Sequence, residues 1–233
     1  MKNLILASTS TLHGGNYLEY LLPEITNLFR NCSSIVFIPF ARPAGVSHDE
    51  YTQKVAIAFD KINIKVKGLH EFHDQKSAIQ QAQGIFVGGG NTFLLVSQLY
   101  RFDIMQQIKA SVNAGTPYLG CSAGSNIAGV SMQTTNDMPI VYPPSFETLN
   151  LLSFNLNPHY LDADNTSTHM GETRETRINE FHTINKTKVL GLREGSWLRV
   201  QHNQIELKGA LSSRLFIQNK QPIEIQPNTV LDI

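Results

Sequence analysis

Short apolar runs alternate with amphipathic stretches from the N-terminus to about Met132. The apolar runs have the length of buried strands, whereas the longer stretches repeat with the period of a helix. The predicted strands are Asn3 to Ala7, Ser34 to Phe40, Ile62 to Val66, Gly84 to Val87 and Pro117 to Gly120. The predicted helices are Tyr17 to Phe29, Ser47 to Phe59, Asp74 to Ala82, Asn91 to Tyr100 and Ile104 to Ala114. This alternation indicates a parallel sheet covered by helices on both faces, with ligands bound beyond the carboxyl ends of the strands.

The alternation of strand-like and helix-like runs stops after Met132. The proline-containing segment from Asn136 to Asn157 predicts irregular chain with a few short extended pieces. A predicted helix from Glu172 to Ile184 and a strand from Lys188 to Leu192 follow, and short alternating runs from Gly195 onward indicate antiparallel hairpins. No linker, repeat or low-complexity tract interrupts the chain. The prediction is one α/β domain over residues 1–233, with a mostly parallel, doubly wound sheet and a C-terminal antiparallel β tail.

Composition and charge favour a small partner. The chain has 233 residues, of which 41% are hydrophobic and 16% charged, with 19 basic and 19 acidic side chains. A balanced charge gives no support to a nucleic-acid or anionic-membrane surface. The longest apolar runs fall well short of the ~18 residues that a membrane span needs, and no signal peptide is visible, so a cytoplasmic location is expected. The only two cysteines, Cys32 and Cys121, argue against a disulfide framework and against a multi-cysteine metal site.

The strongest local signal for chemistry is the sequence Gly120-Cys121-Ser122-Ala123-Gly124. This G-x-S-x-G pattern follows a predicted strand and precedes a stretch that can open a helix, the context that a nucleophile elbow requires. The elbow would expose the Ser122 hydroxyl at the carboxyl edge of the sheet, whereas Cys121, one residue earlier, is expected to be a buried small hydrophobe. A glycine-rich turn without a nucleophile would fit the same sequence pattern.

A serine hydroxyl needs a base, usually a histidine that is oriented by a carboxylate. Among eight histidines, His159 follows Asn157-Pro158 at the end of the irregular segment, where a loop could bring it over the elbow. Two acids are candidates for orienting it. Asp137 lies in a loop before Pro139, and Glu194 follows the strand that ends at Leu192. Each acid could instead have a purely structural role: Asp137 could form an Asx-turn, and Glu194 could be a hairpin-turn residue.

Three consecutive glycines, Gly88 to Gly90, come between a predicted strand and a predicted helix. Their N–H groups and the positive helix end could receive an anion. The run lacks the spacing of a dinucleotide fingerprint and the lysine of a phosphate loop, so stabilisation of an oxyanion is the better match. Gly89, Gly90 and Ala123 are the candidate N–H donors.

Two arginines are candidates for binding a substrate carboxylate. Arg174 and Arg177 lie three residues apart on one predicted helix and share a face. A guanidinium can take both oxygens of a carboxylate at once. The alternative is a solvated stripe in which these arginines pair with Glu175 and Glu180.

Together, five motifs resemble a known family. In chain order they are Gly88-Gly89-Gly90-Asn91-Thr92, Gly120-Cys121-Ser122-Ala123-Gly124, Asn136-Asp137-Met138-Pro139, Asn157-Pro158-His159 and Arg174-Glu175-Thr176-Arg177-Ile178. Their order is that of the peptidase E family, the alpha-aspartyl dipeptidases, and the resemblance spans nearly the whole chain. An elbow alone would also fit esterases, which usually place the acid and the histidine much further towards the C-terminus.

The resemblance implies a serine peptidase that hydrolyses Asp-Xaa dipeptides through an acyl-enzyme, on a fold similar to class I glutamine amidotransferases. The family's serine, aspartate and histidine correspond to Ser122, Asp137 and His159, and Glu194 matches a glutamate placed beside the histidine. It implies a small peptide substrate, no cofactor and no metal, and a monomer or homodimer. Two alternatives stay open: a cyanophycinase-like or other hydrolase of the same fold, and a non-catalytic protein that binds a small anion at Gly88 to Gly90.

Overall fold

Two β-sheets flanked by helices make up the computed structural model, which describes residues 1–164, 166, 168 and 170–232. The strands are β1 (Asn3–Ala7), β2 (Ser34–Ile38), β3 (Lys65–Gly68), β4 (Ile85–Val87), β5 (Tyr118–Cys121), β6 (Asn155–Pro158), β7 (Val189–Leu192), β8 (Ser196–Gln201), β9 (Gln204–Gly209), β10 (Ser213–Phe216) and β11 (Ile223–Ile225). The helices are α1 (Leu22–Leu28), α2 (His48–Asp60), α3 (Gln75–Gln80), α4 (Thr92–Arg101), α5 (Met105–Ala114), α6 (Ala123–Asn126) and α7 (Arg174–Ile184).

The larger sheet has seven strands in the order β3-β2-β4-β5-β1-β8-β9. Its first five strands are parallel, and β8 and β9 extend it antiparallel beyond β1. The smaller sheet has the order β11-β10-β7-β6, with β6 and β7 parallel. The predicted α/β fold with a mostly parallel sheet and an antiparallel C-terminal part is confirmed, and the hairpins of that part are divided between the two sheets.

The alternation of side chains along β1 shows why helices cover both faces of the larger sheet. Leu4 and Leu6 belong to one buried apolar cluster, whereas Ile5 and Ala7 belong to a second. Successive residues of a strand point to opposite faces, so an uninterrupted apolar run requires an apolar layer on each side. β1 therefore lies at the centre of the core, and its carboxyl end opens onto the same edge as those of β4 and β5.

The strand β6 differs from the sequence prediction, which placed most of it in irregular chain. Its sequence, Asn-Leu-Asn-Pro, has little strand propensity, because asparagine and proline are depleted in strands. The amides are nevertheless buried, and their N–H groups have partners: Asn155 Nδ2 donates to Ser131 Oγ at 3.0 Å, and Asn157 Nδ2 donates to the Thr134 carbonyl at 2.8 Å. Tertiary hydrogen bonds to the segment before the strand thus replace the propensity that the sequence lacks.

Parallel pairing of β6 with β7 brings two distant segments together. Pro158 lies opposite Leu192 in the register, so the residues that follow each strand emerge side by side. These residues are His159 and the turn that contains Glu194.

Within the described part of the chain, no helix is long and apolar enough to cross a membrane.

Candidate active site

The turn between β5 and α6 has the geometry of a nucleophile elbow. Ser122 has φ 54° and ψ −112°, a conformation that non-glycine residues rarely adopt. The flanking glycines permit close approach of the main chain: a Cβ atom at Gly124 would lie 2.1 Å from the Val87 carbonyl oxygen, and one at Gly120 would lie 2.5 Å from the Gly124 carbonyl oxygen. The G-x-S-x-G spacing therefore follows from packing against β4 and within the turn itself.

Cys121 is fully buried, as the sequence predicts. Burial raises the pKa of its thiol well above the usual range, because the thiolate would lose its solvation. A buried thiol with a raised pKa is a poor nucleophile, which leaves the Ser122 hydroxyl as the candidate nucleophile of this turn.

The imidazole of His159 lies directly on the elbow. Its Nε2 is 2.9 Å from Ser122 Oγ, within hydrogen-bonding distance for proton transfer. His159 follows β6 and has a φ of 55°, so the chain turns sharply there and presents the ring to the serine.

Glu194 is the acid that touches the histidine. Its Oε1 is 2.6 Å from His159 Nδ1, on the opposite side of the ring from Ser122. Serine, histidine and glutamate thus form a continuous hydrogen-bonded chain with the order of groups found in a catalytic triad. The side chains of His159 and Glu194 are 38% and 51% exposed, so water reaches this pair.

Asp137 is engaged elsewhere. Its Oδ2 accepts hydrogen bonds from the Thr92 N–H at 2.7 Å, the Thr92 hydroxyl at 2.6 Å and the Thr135 hydroxyl at 3.0 Å. These contacts place a carboxylate at the N-terminus of α4, where the helix dipole favours a negative charge. Among the described residues, Oδ1 of Asp137 has no hydrogen-bond donor, although the residue lines the same cavity as Ser122.

The glycine loop lies against the nucleophile, but its three N–H groups differ. The Gly88 N–H donates to the Ile38 carbonyl at 3.2 Å, and the Gly89 N–H donates to Tyr51 Oη at 3.0 Å. The Gly90 N–H makes no hydrogen bond within the described residues. A Cβ at Gly90 would lie 2.3 Å from the Ala41 carbonyl oxygen and its φ is +144°, so glycine is required there. Gly90, rather than Gly89, is the loop residue with a free donor.

The two candidate arginines have different surroundings. Arg177 is exposed and lies 3.7 Å from Glu172. Arg174 is half-buried and makes no hydrogen bond or ion pair with any described residue. Partial burial lowers the pKa of the Arg174 guanidinium and Arg177 lowers it further, whereas the nearby carboxylate of Asp137 acts in the opposite direction. Arg174 is thus the arginine that feels the charge of Asp137 and whose donors are unused among the described residues.

A small cavity lies between the elbow and the start of α4. It is lined by Thr92, Ser122, Ala123, Asn126, Thr135, Asn136, Asp137, Pro158 and His159. The sequence prediction did not single out Asn126, which is buried and whose Oδ1 has no partner among the described residues. Its position four residues after Ser122, on the same face of the following helix, is a signal that could have identified it.

Arg193 fixes the turn on which Glu194 lies. Its guanidinium donates to both oxygens of Asp162 at 2.7 Å and to both oxygens of Glu224 at 2.9 and 3.1 Å. Hydrogen bonds from Arg193 lower the pKa of Asp162 and the pKa of Glu224 below their usual values. The turn is therefore attached to β11 and to the segment after β6 through one planar group.

This cluster predicts an acid-sensitive contribution to stability. A carboxyl group whose pKa is lowered in the folded state stabilises the protein above its unfolded pKa, and the contribution is lost as the pH falls through the folded pKa. Because both carboxylates are partly exposed, we expect Arg193→Met to lower the free energy of unfolding by only about 1 kcal/mol at pH 7. The loss should be smaller at pH 3. Urea denaturation at both pH values measures it, with Arg30→Met, an exposed arginine without an ion pair in the described part, as the control; an equal loss at both pH values would contradict the assignment.

Comparison with known proteins assigns the chain to a family. The sequence model of peptidase family S51 matches residues 4–208. The chain belongs to peptidase family S51. As a member of family S51 it is a serine peptidase, which confirms the enzyme class and the resemblance predicted from the motifs.

Individual proteins are similar to this chain over almost their whole length. Peptidase E of Streptomyces coelicolor is 48% identical over 223 residues, which cover 96% of this chain and 90% of the relative. A Drosophila melanogaster protein named "Probable alpha-aspartyl dipeptidase" is 44% identical over 229 residues, covering 97% and 94%. The crystal structure of a peptidase from an acI-B1 Actinobacterium shares the fold, with a TM-score of 0.74, 15% identity and coverage of 100% and 97%.

Proposed function

We propose that this chain hydrolyses dipeptides whose first residue is aspartate, with Ser122 as nucleophile, His159 as general base and Glu194 as the acid that orients His159. The observation that carries the proposal is the continuous contact of 2.9 Å from Ser122 Oγ to His159 Nε2 and 2.6 Å from His159 Nδ1 to Glu194 Oε1. The names of the relatives, peptidase E and alpha-aspartyl dipeptidase, support the class of substrate.

The geometry supports a two-step reaction. His159 takes the proton of Ser122 as Oγ attacks the scissile carbonyl carbon, and Glu194 stabilises the imidazolium that forms. The N–H groups of Gly90 and Ala123 stabilise the oxyanion of the tetrahedral intermediate. His159 then gives its proton to the leaving amine, which departs and leaves an acyl-enzyme. Water, deprotonated by His159, attacks the ester, and aspartate leaves as the Ser122 hydroxyl is restored.

Selection of an N-terminal aspartate needs a cation for its side chain and an acceptor for its free amine. Arg174 supplies a half-buried guanidinium whose donors are unused among the described residues. Asp137 lines the cavity, and its Oδ1 has no donor there, so it can accept from the substrate ammonium group.

A substrate panel tests the proposal. We expect the wild-type protein to hydrolyse Asp-Leu and to discriminate against the isosteric Asn-Leu by at least about 10²-fold in kcat/KM, since the half-buried guanidinium of Arg174 would be left without its anionic partner. Arg174→Met should lower kcat/KM for Asp-Leu by roughly 10²- to 10³-fold and affect Asn-Leu much less. Liberated leucine is measured in each case.

Arg177→Met is the matched control, because Arg177 lies on the same helix but is exposed and faces Glu172. It should keep the activity on Asp-Leu. Equal losses on both substrates in Arg174→Met, or a loss confined to Arg177→Met, would place selection elsewhere. A wild-type protein that cleaves a longer aspartate-containing polymer but not Asp-Leu would favour the polymer hydrolase, and one that cleaves neither would contradict the proposed function.

The small peptide is the partner that this proposal requires. The sequence predictions of a monomer or homodimer, of no nucleic-acid or membrane partner and of a cytoplasmic location stay predictions, as does the single domain over residues 1–233.

A further inference from the structure

Ser8, the residue that follows β1, connects two parts of the site that lie far apart in the sequence. It is fully buried at the centre of the larger sheet. Its Oγ accepts a hydrogen bond from the His159 N–H at 2.8 Å and donates one to the Leu192 carbonyl at 2.7 Å. A single hydroxyl thus joins the main chain of the base to the end of β7, two residues before Glu194.

The main chain of His159 needs such support. A φ of 55° lies in the left-handed region, which residues with a Cβ atom occupy rarely and which persists where neighbouring contacts hold it. The hydrogen bond from the His159 N–H to Ser8 acts at that residue itself. The following N–H, that of Tyr160, also donates to the Leu192 carbonyl, at 3.1 Å. Ser8 and Leu192 therefore set the direction in which the imidazole of His159 projects from the end of β6.

The same residue holds the turn that carries the acid. The backbone N–H of Ser8 donates to the Ser196 carbonyl at 3.1 Å, while its hydroxyl holds the Leu192 carbonyl. Leu192 and Ser196 are the last residue of β7 and the first of β8, so they flank the turn with Glu194 on both sides. Both ends of this turn are thus attached to Ser8.

The peptide before Ser8 reaches the third part of the site. The Ala7 carbonyl accepts hydrogen bonds from the Ser122 N–H at 3.1 Å and from Ser125 Oγ at 2.7 Å. The end of β1 therefore contacts the elbow through its main chain and the base and acid through Ser8. Residues 7 and 8 make these contacts with main-chain atoms of their own, except for those of the Ser8 hydroxyl, which a substitution of Ser8 removes.

We infer that Ser8 is a positioning residue for the hydrolysis proposed above, on which this inference rests. Its hydroxyl sets the distance and direction of His159 relative to Ser122 and Glu194 without touching the substrate. A displacement of about 1 Å in a catalytic group can cost on the order of 10²-fold in rate. Loss of the hydroxyl should therefore act on the chemical step more than on substrate binding.

Three proteins test this inference: the wild type, Ser8→Ala and Ser111→Ala. Ser111 is the matched control, since it is also a buried serine whose hydroxyl donates to a carbonyl, that of Ile79, but it joins α5 to α3 away from the cavity. We expect Ser8→Ala to lower kcat on Asp-Leu by about 10- to 100-fold with KM changed less than about threefold. The rate of phosphorylation of Ser122 by diisopropyl fluorophosphate should fall by a similar factor. This reaction needs Ser122 and His159 but no dipeptide. Ser111→Ala should leave both rates unchanged.

Ser8→Cys provides a second variant, because a thiol of similar shape forms weaker hydrogen bonds. It should fall between wild type and Ser8→Ala in kcat, and it replaces Ser8→Ala if that variant does not fold. Wild-type kcat in Ser8→Ala, or equal losses of kcat in Ser8→Ala and Ser111→Ala, would overturn the inference. A wild-type protein that cleaves no dipeptide would overturn the proposed function instead. The rates of phosphorylation by diisopropyl fluorophosphate would still test the role of Ser8.

Discussion

Ser122→Ala should lower kcat on aspartyl dipeptides by at least about 10³-fold while leaving the fold intact. The hydroxyl is the attacking group of the proposed mechanism, and its hydrogen bond in the described structure is to the ring of His159. The main-chain bonds of the elbow, from the Ser122 N–H to Ala7 and from the Ser125 and Asn126 N–H groups to the Ser122 carbonyl, do not involve the side chain. Circular dichroism and the thermal midpoint should therefore stay close to those of the wild type.

Labelling separates the serine from its neighbour Cys121. Diisopropyl fluorophosphate should modify Ser122 in the wild type, as located by mass spectrometry, and should modify no active-site residue in Ser122→Ala. Iodoacetamide should leave wild-type activity intact, because burial raises the pKa of the Cys121 thiol and shields it from reagents. More than about a tenth of the activity remaining in Ser122→Ala would show that the hydroxyl is not the nucleophile.

Glu194→Gln should lower kcat by about 10²- to 10⁴-fold, since an amide cannot stabilise the imidazolium and can select the wrong tautomer of His159. Asp137→Asn is the matched comparison, as it also replaces a carboxylate by its amide, at a residue that lines the cavity with Ser122 and His159. An asparagine can still accept the hydrogen bonds of Thr92, but it loses the charge that would meet a substrate ammonium group. We therefore expect Asp137→Asn to raise KM more than it lowers kcat.

Steady-state kinetics on Asp-Leu for the two variants distinguishes the roles of the acids. Thermal midpoints of both proteins show whether a loss reflects unfolding, which matters for Asp137 because its carboxylate lies at the start of α4. A large loss of kcat in Asp137→Asn together with a nearly normal Glu194→Gln would assign the orienting role to Asp137 and contradict the triad proposed from the contacts.

The elbow could be predicted from sequence because its determinants are local. The glycines at 120 and 124, the strand before them and the helix after them all lie within about ten residues, and the close approaches of the main chain explain each small residue. The choice between Asp137 and Glu194 could not be made in this way. It depends on the parallel pairing of β6 with β7, which brings residues 158 and 192 into register across a long stretch of chain.

Contacts between segments that are distant in sequence also explain the features that the sequence analysis did not predict. The sequence of β6 predicts irregular chain, because the hydrogen-bond partners of its amides, Ser131 and Thr134, are fixed by the fold and not by strand propensity. The Gly89 N–H is occupied by Tyr51, a residue of α2 that is remote in sequence from the glycine loop. Ser8 gave no motif at all, since a serine at the end of a strand is ordinary until the segments it joins are known.

The contacts at the end of β1 also bear on when activity can arise as the chain folds. Ser8 binds partners 151 and 184 residues away, so the N-terminal strand completes the site only after most of the chain has been synthesised. Contacts of such sequence separation form late because they require closure of long loops. A nascent chain that lacks residues 192–196 has a nucleophile but no anchored base or acid. Hydrolysis therefore begins only once the C-terminal strands have joined the sheet, and recovery of activity during refolding reports the completion of these contacts.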